Sequence, residues 1–407
     1  MTRIPTSRAE AEALDAADPL APARARFRLP EGVTYLVGHS LGPATEMAIA
    51  RAEKTATEEW ANGIVRSWNT AGWIDLGQSV GARIARLIGA KPEEVVVCDS
   101  VSVNLFKLAV AALPLAKERR VMVEDDEFPT DQYMTGGIAR TTGAAFDHLP
   151  AGEGIEALAK GGVLIKSAVN YRTAEIIDMA AFEQEARRTG AVIVWDLSHA
   201  GGIVPVKLND SGALFATGCT YKYMNGGPGA PSYLYVAAGI VGEVHTPLPG
   251  WLGHAQPFAF SKEYQPAEGV SRFVAGTPTI LSLSALDGAL DAFDGIEIGA
   301  VHGKAQALGD LCSMQAATFG LTLGSPAAGE RRGGHVSLRH QEGYAVTQAL
   351  AARGILSDFR TPDTIRFGLS PLFLRYTDVW DTVAALGDIL EHRLWDRPEF
   401  KVRAKVT

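Results

Sequence analysis

Short, uninterrupted apolar runs recur along the chain, each stopping abruptly in small or polar residues, and stretches with a helical apolar spacing lie between them. The runs at 95–98, 120–123, 163–167, 192–195 and 232–236 have strand length and are rich in β-branched side chains. They lack the alternation of a half-exposed sheet, so they predict strands buried on both faces. Apolar positions at helical spacing fill 45–60, and Val80, Ile84 and Leu87 align on one face of 77–88. A further helix is expected to begin near 102–104. Strands alternating with helices specify an α/β fold with a mainly parallel sheet and helices on both faces. In such a sheet the loops beyond the strand ends converge on one rim, which would carry Phe128, Asp131, Thr173, Asp196 and His199.

Beyond Gly295 the pattern changes. It predicts a helix to about 319, strands near 321, 335–338 and 365–369, and helices over 342–353 and 378–393, the last with Val379, Val383, Leu386 and Ile389 on one side. Three units follow: an N-terminal arm (1–32), a large α/β domain (33–294) and a small C-terminal α/β domain (295–407). The arm is expected to hold a short helix packed on the body or on a partner subunit. It has no apolar stretch of signal-peptide or membrane-spanning character, and its acidic residues Glu10, Glu12, Asp15 and Asp18 argue against an organelle presequence.

Composition narrows the function classes. With 47% hydrophobic and 21% charged residues in 407, the chain has the make-up of a globular protein. A net charge of −8, without clustered Lys and Arg, gives no footprint for nucleic acid. Cys98, Cys219 and Cys312 are spaced for neither a disulfide framework nor a metal site, which points to a reducing cytoplasm.

Candidate chemistry centres on 191–231. Asp196 ends an apolar strand, where a ligand of an open α/β sheet sits. Lys222 stands between Tyr221 and Tyr223, ahead of the turn-forming Asn225-Gly226-Gly227-Pro228-Gly229. Together they suit pyridoxal phosphate, the lysine making the covalent link and the carboxylate keeping the pyridine nitrogen protonated. Upstream, Ser100 and Ser102 lie at a strand-to-helix turn that is either a phosphate site or an ordinary cap by Ser102. The tryptophans of 67–76 line a pocket or pack on the core. His39 is a catalytic base or, more ordinarily, a hydrogen-bonding element of its turn.

Eight segments in unbroken order resemble the kynureninase family of fold-type I pyridoxal phosphate enzymes: Gly38-His39-Ser40-Leu41-Gly42-Pro43, Ser67-Trp68-Asn69-Thr70-Ala71-Gly72-Trp73, Ser102-Val103-Asn104-Leu105, Phe128-Pro129-Thr130-Asp131, Val169-Asn170-Tyr171-Arg172-Thr173, Trp195-Asp196-Leu197-Ser198-His199, Cys219-Thr220-Tyr221-Lys222-Tyr223 and Gly250-Trp251-Leu252-Gly253-His254. The resemblance implies hydrolytic Cβ–Cγ cleavage of L-kynurenine or 3-hydroxykynurenine to anthranilate or 3-hydroxyanthranilate and L-alanine. It implies Lys222 as cofactor anchor and α-proton base, Asp196 and Asp131 near the pyridine nitrogen, and Phe128 stacked on the ring. Val101, Ser102, Thr173, His199 and Tyr221 would complete the cofactor shell, and Tyr221 would also relay protons. Arg366 would hold the substrate carboxylate and Trp68 the aryl ring. It further implies a homodimer with Trp251 and Thr277 supplied by the partner. His39 departs from the family pattern, which usually has Asn there. The competing expectations are an aminotransferase or cysteine desulfurase of the same fold, and a non-catalytic cofactor-binding regulator.

Overall fold

The computed structural model describes residues 4–403; the first three residues of the expected arm and the last four of the C-terminal domain lie outside the described residues. After a two-residue strand, β1 (Thr34–Tyr35), come β2 (Val95–Val97), β3 (Arg120–Glu124), β4 (Ala145–Leu149), β5 (Val163–Ser167), β6 (Val192–Asp196), β7 (Phe215–Gly218) and β8 (Tyr233–Val236). These seven form one sheet in the order β2-β8-β7-β6-β5-β3-β4. All pairings from β4 to β7 are parallel, while β8 runs antiparallel to both β2 and β7. Every residue of β5, β6, β7 and β8 is buried, the physical reason those segments lack alternation. Ser167 of β5, Asp196 of β6 and Thr217 of β7 stand level in the register, so these strands finish at one rim.

The C-terminal part adds β9 (Thr322–Leu323), β10 (His335–Arg339), β11 (Ile355–Leu356), β12 (Asp358–Arg360) and β13 (Thr364–Gly368). Four of these make an antiparallel sheet ordered β12-β13-β10-β9, covered by helices Ile298–Ala317 and Gly343–Ala351, on which helix Tyr376–Glu391 packs in turn. The fifth, β11, pairs parallel with β1.

That pairing links the start of the expected large domain to the C-terminal part. The Thr34 and Leu36 amides donate to the carbonyls of Gly354 and Leu356, each at 2.9 Å, so this stretch joins the C-terminal lobe. Gly354, at φ +77, lets the chain turn back after helix Gly343–Ala351 and present its carbonyl there. The arm packs on the same lobe. Its helix Arg8–Ala16 ends beside Asp15, whose carboxylate accepts from the amides of Tyr376 (2.6 Å) and Thr377 (3.1 Å), capping the free N-terminus of helix Tyr376–Glu391. Asp18 pairs with the buried Lys304 at 2.7 Å.

A correction concerns residues 45–60. An α-helix covers Glu46–Lys54, capped by Thr45, and then widens into a π-helical segment over Thr55–Gly63 that leaves Trp60 largely exposed.

Candidate active site

Asp196 is the last residue of β6, only 7% exposed, and Ser198 donates to its Oδ1 twice, from the backbone amide at 2.8 Å and from Oγ at 2.6 Å. Ser198 Oγ accepts in turn from the Cys219 amide at 3.2 Å, which ties the end of β6 to the chain leaving β7. Lys222 follows in a loop held at both ends. Thr220 Oγ1 donates to the Pro231 carbonyl at 2.6 Å, and the Gly226 amide to the Thr220 carbonyl at 2.9 Å. Gly42 packs against this loop and donates its amide to the Tyr221 carbonyl at 2.7 Å. A Cβ at position 42 would stand 2.3 Å from the Lys222 carbonyl oxygen, so only glycine fits there.

A cavity of about 150 Å³ opens between these elements. Eight of the residues expected from the sequence line it: Lys222, Asp196, His199, Tyr221, Phe128, Asp131, Val101 and Ser102. The half-buried Lys222 places Nζ 5.9 Å from the ring centres of both Phe128 and Tyr221. Thr277 lines an adjoining cavity of about 410 Å³, which shares Ser100, Tyr221 and Ala230 with the first. Four expected residues line neither. Thr173 sits in the turn after Asn170, its amide donating to Asn170 Oδ1 at 3.0 Å. Trp251 stands on a separate loop, edge-on to Phe258. Trp68 packs edge-on against Trp73, 5.8 Å between ring centres. Arg366 is sealed in β13 at 1% exposure.

Sequence reasoning gave the helix cap to the wrong serine and assigned Tyr171 no role. Ser100, not Ser102, caps helix Val101–Ala112, with Oγ accepting from the Val103 amide at 3.4 Å; two serines in one turn offered no local way to choose. Tyr171 lines the cavity, meets Phe128 edge-on, and lends its carbonyl to Arg366.

The cavity's electrostatics are unusual. Asp131 lies in the first turn of helix Pro129–Thr142, with both carboxyl oxygens buried and neither hydrogen-bonded. Burial first, then the Asp196 and Glu127 charges, pushes its pKa well above the carboxylate range, with Lys222 opposing. Asp196 is also raised by burial, offset by Lys222 and Ser198. His199 is kept neutral, lowered by burial and then by Lys222. Tyr221 is held protonated by the Cys219 sulfur, then by burial and Asp196. Two buried carboxylates, those of Asp131 without a hydrogen bond, want a cation or a proton between them. The protonated ring nitrogen of pyridoxal phosphate is such a group, Lys222 is the one amine in the lining, and the free amides at the start of helix Val101–Ala112 suit a phosphate. The residues present therefore fit that cofactor. No group of side chains able to hold a metal ion occurs among the described residues.

A second charged cluster lies in the C-terminal lobe. Arg366 donates from Nη1 to the Tyr171 carbonyl at 2.5 Å and from Nη2 to Asp358 Oδ2. His39 Nε2 stands 3.3 Å from the same oxygen, and its ring stacks on His335 with centres 5.1 Å apart. Burial, and then Arg366, lowers His39 to about 4, so it is neutral at physiological pH.

Comparison with known proteins places this arrangement. The kynureninase C-terminal domain family matches residues 301–386. A kynureninase of Pseudomonas fluorescens is 44% identical over 99% of this chain and 100% of that protein, and one of Burkholderia mallei is 43% identical over 98% and 100%. Among solved structures, a complex of the cystine C–S lyase C-DES with its product cysteine persulfide superimposes with a TM-score of 0.77 at 17% identity, covering 88% of this chain and 98% of that one. A cysteine desulfurase from Thermococcus onnurineus gives 0.76 at 17%, covering 96% and 99%. Those two share the fold-type I architecture; the full-length relatives settle the family, and the chain belongs to the kynureninases.

Proposed function

We propose that the protein is a pyridoxal phosphate-dependent hydrolase that cleaves the Cβ–Cγ bond of L-kynurenine, or its 3-hydroxy derivative, to the anthranilate and L-alanine, a step of tryptophan breakdown. The observation that carries this is identity of 43–44% over nearly the whole chain with proteins named kynureninase. When bound, the cofactor supplies an electron sink for the bond-breaking steps. Lys222 Nζ would anchor it and would carry the substrate α-proton. Asp196, with Asp131 as a second carboxylate nearby, would keep the ring nitrogen protonated, and Phe128 would cover the ring. Val101, Ser102 and Thr173 complete its shell, with His199 donating to a cofactor oxygen. Tyr221, kept protonated by its surroundings, would relay a proton to the β-carbon, which keeps the electron pair of the broken bond while water supplies the oxygen that completes the anthranilate carboxyl group. Arg366 binds the substrate carboxylate through paired N–H groups.

A homodimer completes the site, with Trp251 and Thr277 reaching a neighbouring chain and Trp68 facing the aryl ring. Exposed apolar residues support an interface: Trp60 is 59% exposed, Val65 72%, Phe258 65% and Phe260 79%. A cytoplasmic location is consistent with three free, buried cysteines. The desulfurase alternative is disfavoured by the same cysteines. Cys98, Cys219 and Cys312 are all buried, and burial raises each thiol's pKa, the reverse of what a mobile nucleophile needs.

The test is release of anthranilate and 3-hydroxyanthranilate, with stoichiometric alanine, from the two substrates by purified holoenzyme. Lys222→Ala is expected to lower turnover by on the order of 10³-fold or more and to abolish the cofactor's protein-linked absorbance. Full turnover by that variant would overturn the assignment.

A further inference from the structure

Arg366 is a buried cation with one nitrogen left without a partner. Its Nη1 and Nη2 are engaged by the Tyr171 carbonyl and Asp358, while Nε is buried with no hydrogen-bond partner. Antiparallel pairing sets Asp358 of β12 directly opposite Arg366 of β13, so both side chains leave the sheet on one face. Asp358 is itself shared: Oδ2 meets Arg366 and His39, and Oδ1 meets Arg360 Nη1 at 3.1 Å. Burial would raise Asp358, but His39 and Arg366 pull it below the ordinary carboxylate range, so it stays ionised. His39, His199 and His335, packed ring against ring, are lowered and neutral. Two guanidinium groups against one carboxylate leave the cluster with one surplus positive charge, the condition for receiving a single carboxylate.

We infer that Asp358 is a positioning residue for substrate binding: it grips one edge of the Arg366 guanidinium, braced by His39, and so aims the remaining N–H groups at the α-carboxylate of the amino-acid substrate. This rests on Arg366 being the carboxylate clamp. Without Asp358 the guanidinium has only the Tyr171 carbonyl to orient it, and a planar fork that swings loses its two-pronged contact. Simple electrostatics gives the opposite sign, because removing an anion that competes for Arg366 strengthens its hold on a carboxylate. The two accounts thus differ in the direction of one measured quantity.

The experiment is steady-state kinetics of the holoenzyme on L-kynurenine, with cofactor absorbance and far-UV circular dichroism showing that each variant is folded and loaded. Asp358→Asn is expected to raise KM by about tenfold or more while kcat stays within about threefold, the signature of lost binding rather than lost chemistry. Asp358→Glu, which keeps the charge but moves it by one methylene, is expected to raise KM less, and it decides the matter alone if the Asn variant does not fold. An unchanged or lowered KM, or a fall confined to kcat, overturns the inference. Arg366→Gln separates the underlying assumption. If it leaves KM unchanged, the clamp itself is wrong; if it raises KM and neither Asp358 variant does, only the role given to Asp358 fails. The double variant Asp358→Asn/Arg366→Gln is expected to match Arg366→Gln alone, since a positioning residue has nothing to add once its target is gone.

Discussion

Two regions of this molecule bury charge, and they do so in opposite ways. At the rim of the large sheet, Asp131 and Asp196 lie close to one another with a lysine as their nearby cation, and both Asp131 oxygens lack any hydrogen bond. In the C-terminal lobe, Asp358 is surrounded by two arginines and a histidine, and the unused donor belongs to a cation, Arg366 Nε. The first region is short of positive charge and the second has it in excess. The proposed ligand pair, a protonated pyridine ring and an amino-acid carboxylate, has the charges that would relieve each. Buried polar groups left unsatisfied in a folded chain mark the ligand's chemistry.

The largest effect on this contrast comes from Asp196. Asp196→Asn keeps an oxygen for the Ser198 donors but removes the charge proposed to keep the ring nitrogen protonated. A loss of about 10²–10³ in kcat is expected, in the range for removing one preorganised electrostatic contact. Anthranilate release measures it. A variant within a few-fold of wild type would show that Asp131 alone supplies the charge, and the rim would no longer be a paired-carboxylate site.

How far these regions could be seen in advance depended on how local their causes are. The run Val192 to Asp196 announces a doubly covered strand and its end because burial on both faces leaves no polar position to blur the pattern. Edge strand β4, with Phe146 and His148 exposed and only Leu149 buried, has mixed polarity and was not recognisable. The lysine loop was legible through its glycines, whereas the need for glycine at position 42 was not, because it is set by the distant Lys222 carbonyl. Arg366 reads as a solvated residue of an alternating strand. Its burial is imposed by Asp358, Tyr171 and His39, residues 8, 195 and 327 positions away along the chain, and no local pattern reports such contacts. For the same reason His39 could not be given a role from its turn alone.

The next test sets the two carboxylate regions against each other through stability of the cofactor-free protein. Asp131 has a folded pKa raised above its ordinary 3.8, so the stability associated with its proton is present below that value and is lost as pH rises through the folded pKa. Asp358 is depressed; its contribution is present above the ordinary value and is lost as pH falls through the folded pKa. Thermal melting of the apo-protein at pH 8 should therefore move up for Asp131→Asn and down for Asp358→Asn. Cofactor titration should show the price of the first gain, a weaker hold on pyridoxal phosphate. Shifts of the same sign would mean that the two regions are not opposites.

The smallest effect on activity belongs to a buried carboxylate that touches neither region. Glu183, on helix Met179–Thr189, accepts a hydrogen bond from Trp195 Nε1 at 2.8 Å behind the sheet, and burial raises its pKa from 4.5 to about 7 despite that bond. Folding thus favours its protonated form: the associated stability is complete below pH 4.5 and is lost as pH rises through about 7. Glu183→Gln keeps an acceptor for Trp195 and removes the charge. It is expected to stabilise the protein at pH 8 by up to roughly 3 kcal/mol and to leave stability at pH 4 unchanged, with turnover within about twofold of wild type. Melting temperatures at the two pH values measure it. If kcat fell as well, the unpaired charge at the rim would be coupled through the sheet to this site, and Asp131 could no longer be treated as a feature shaped by its ligand alone.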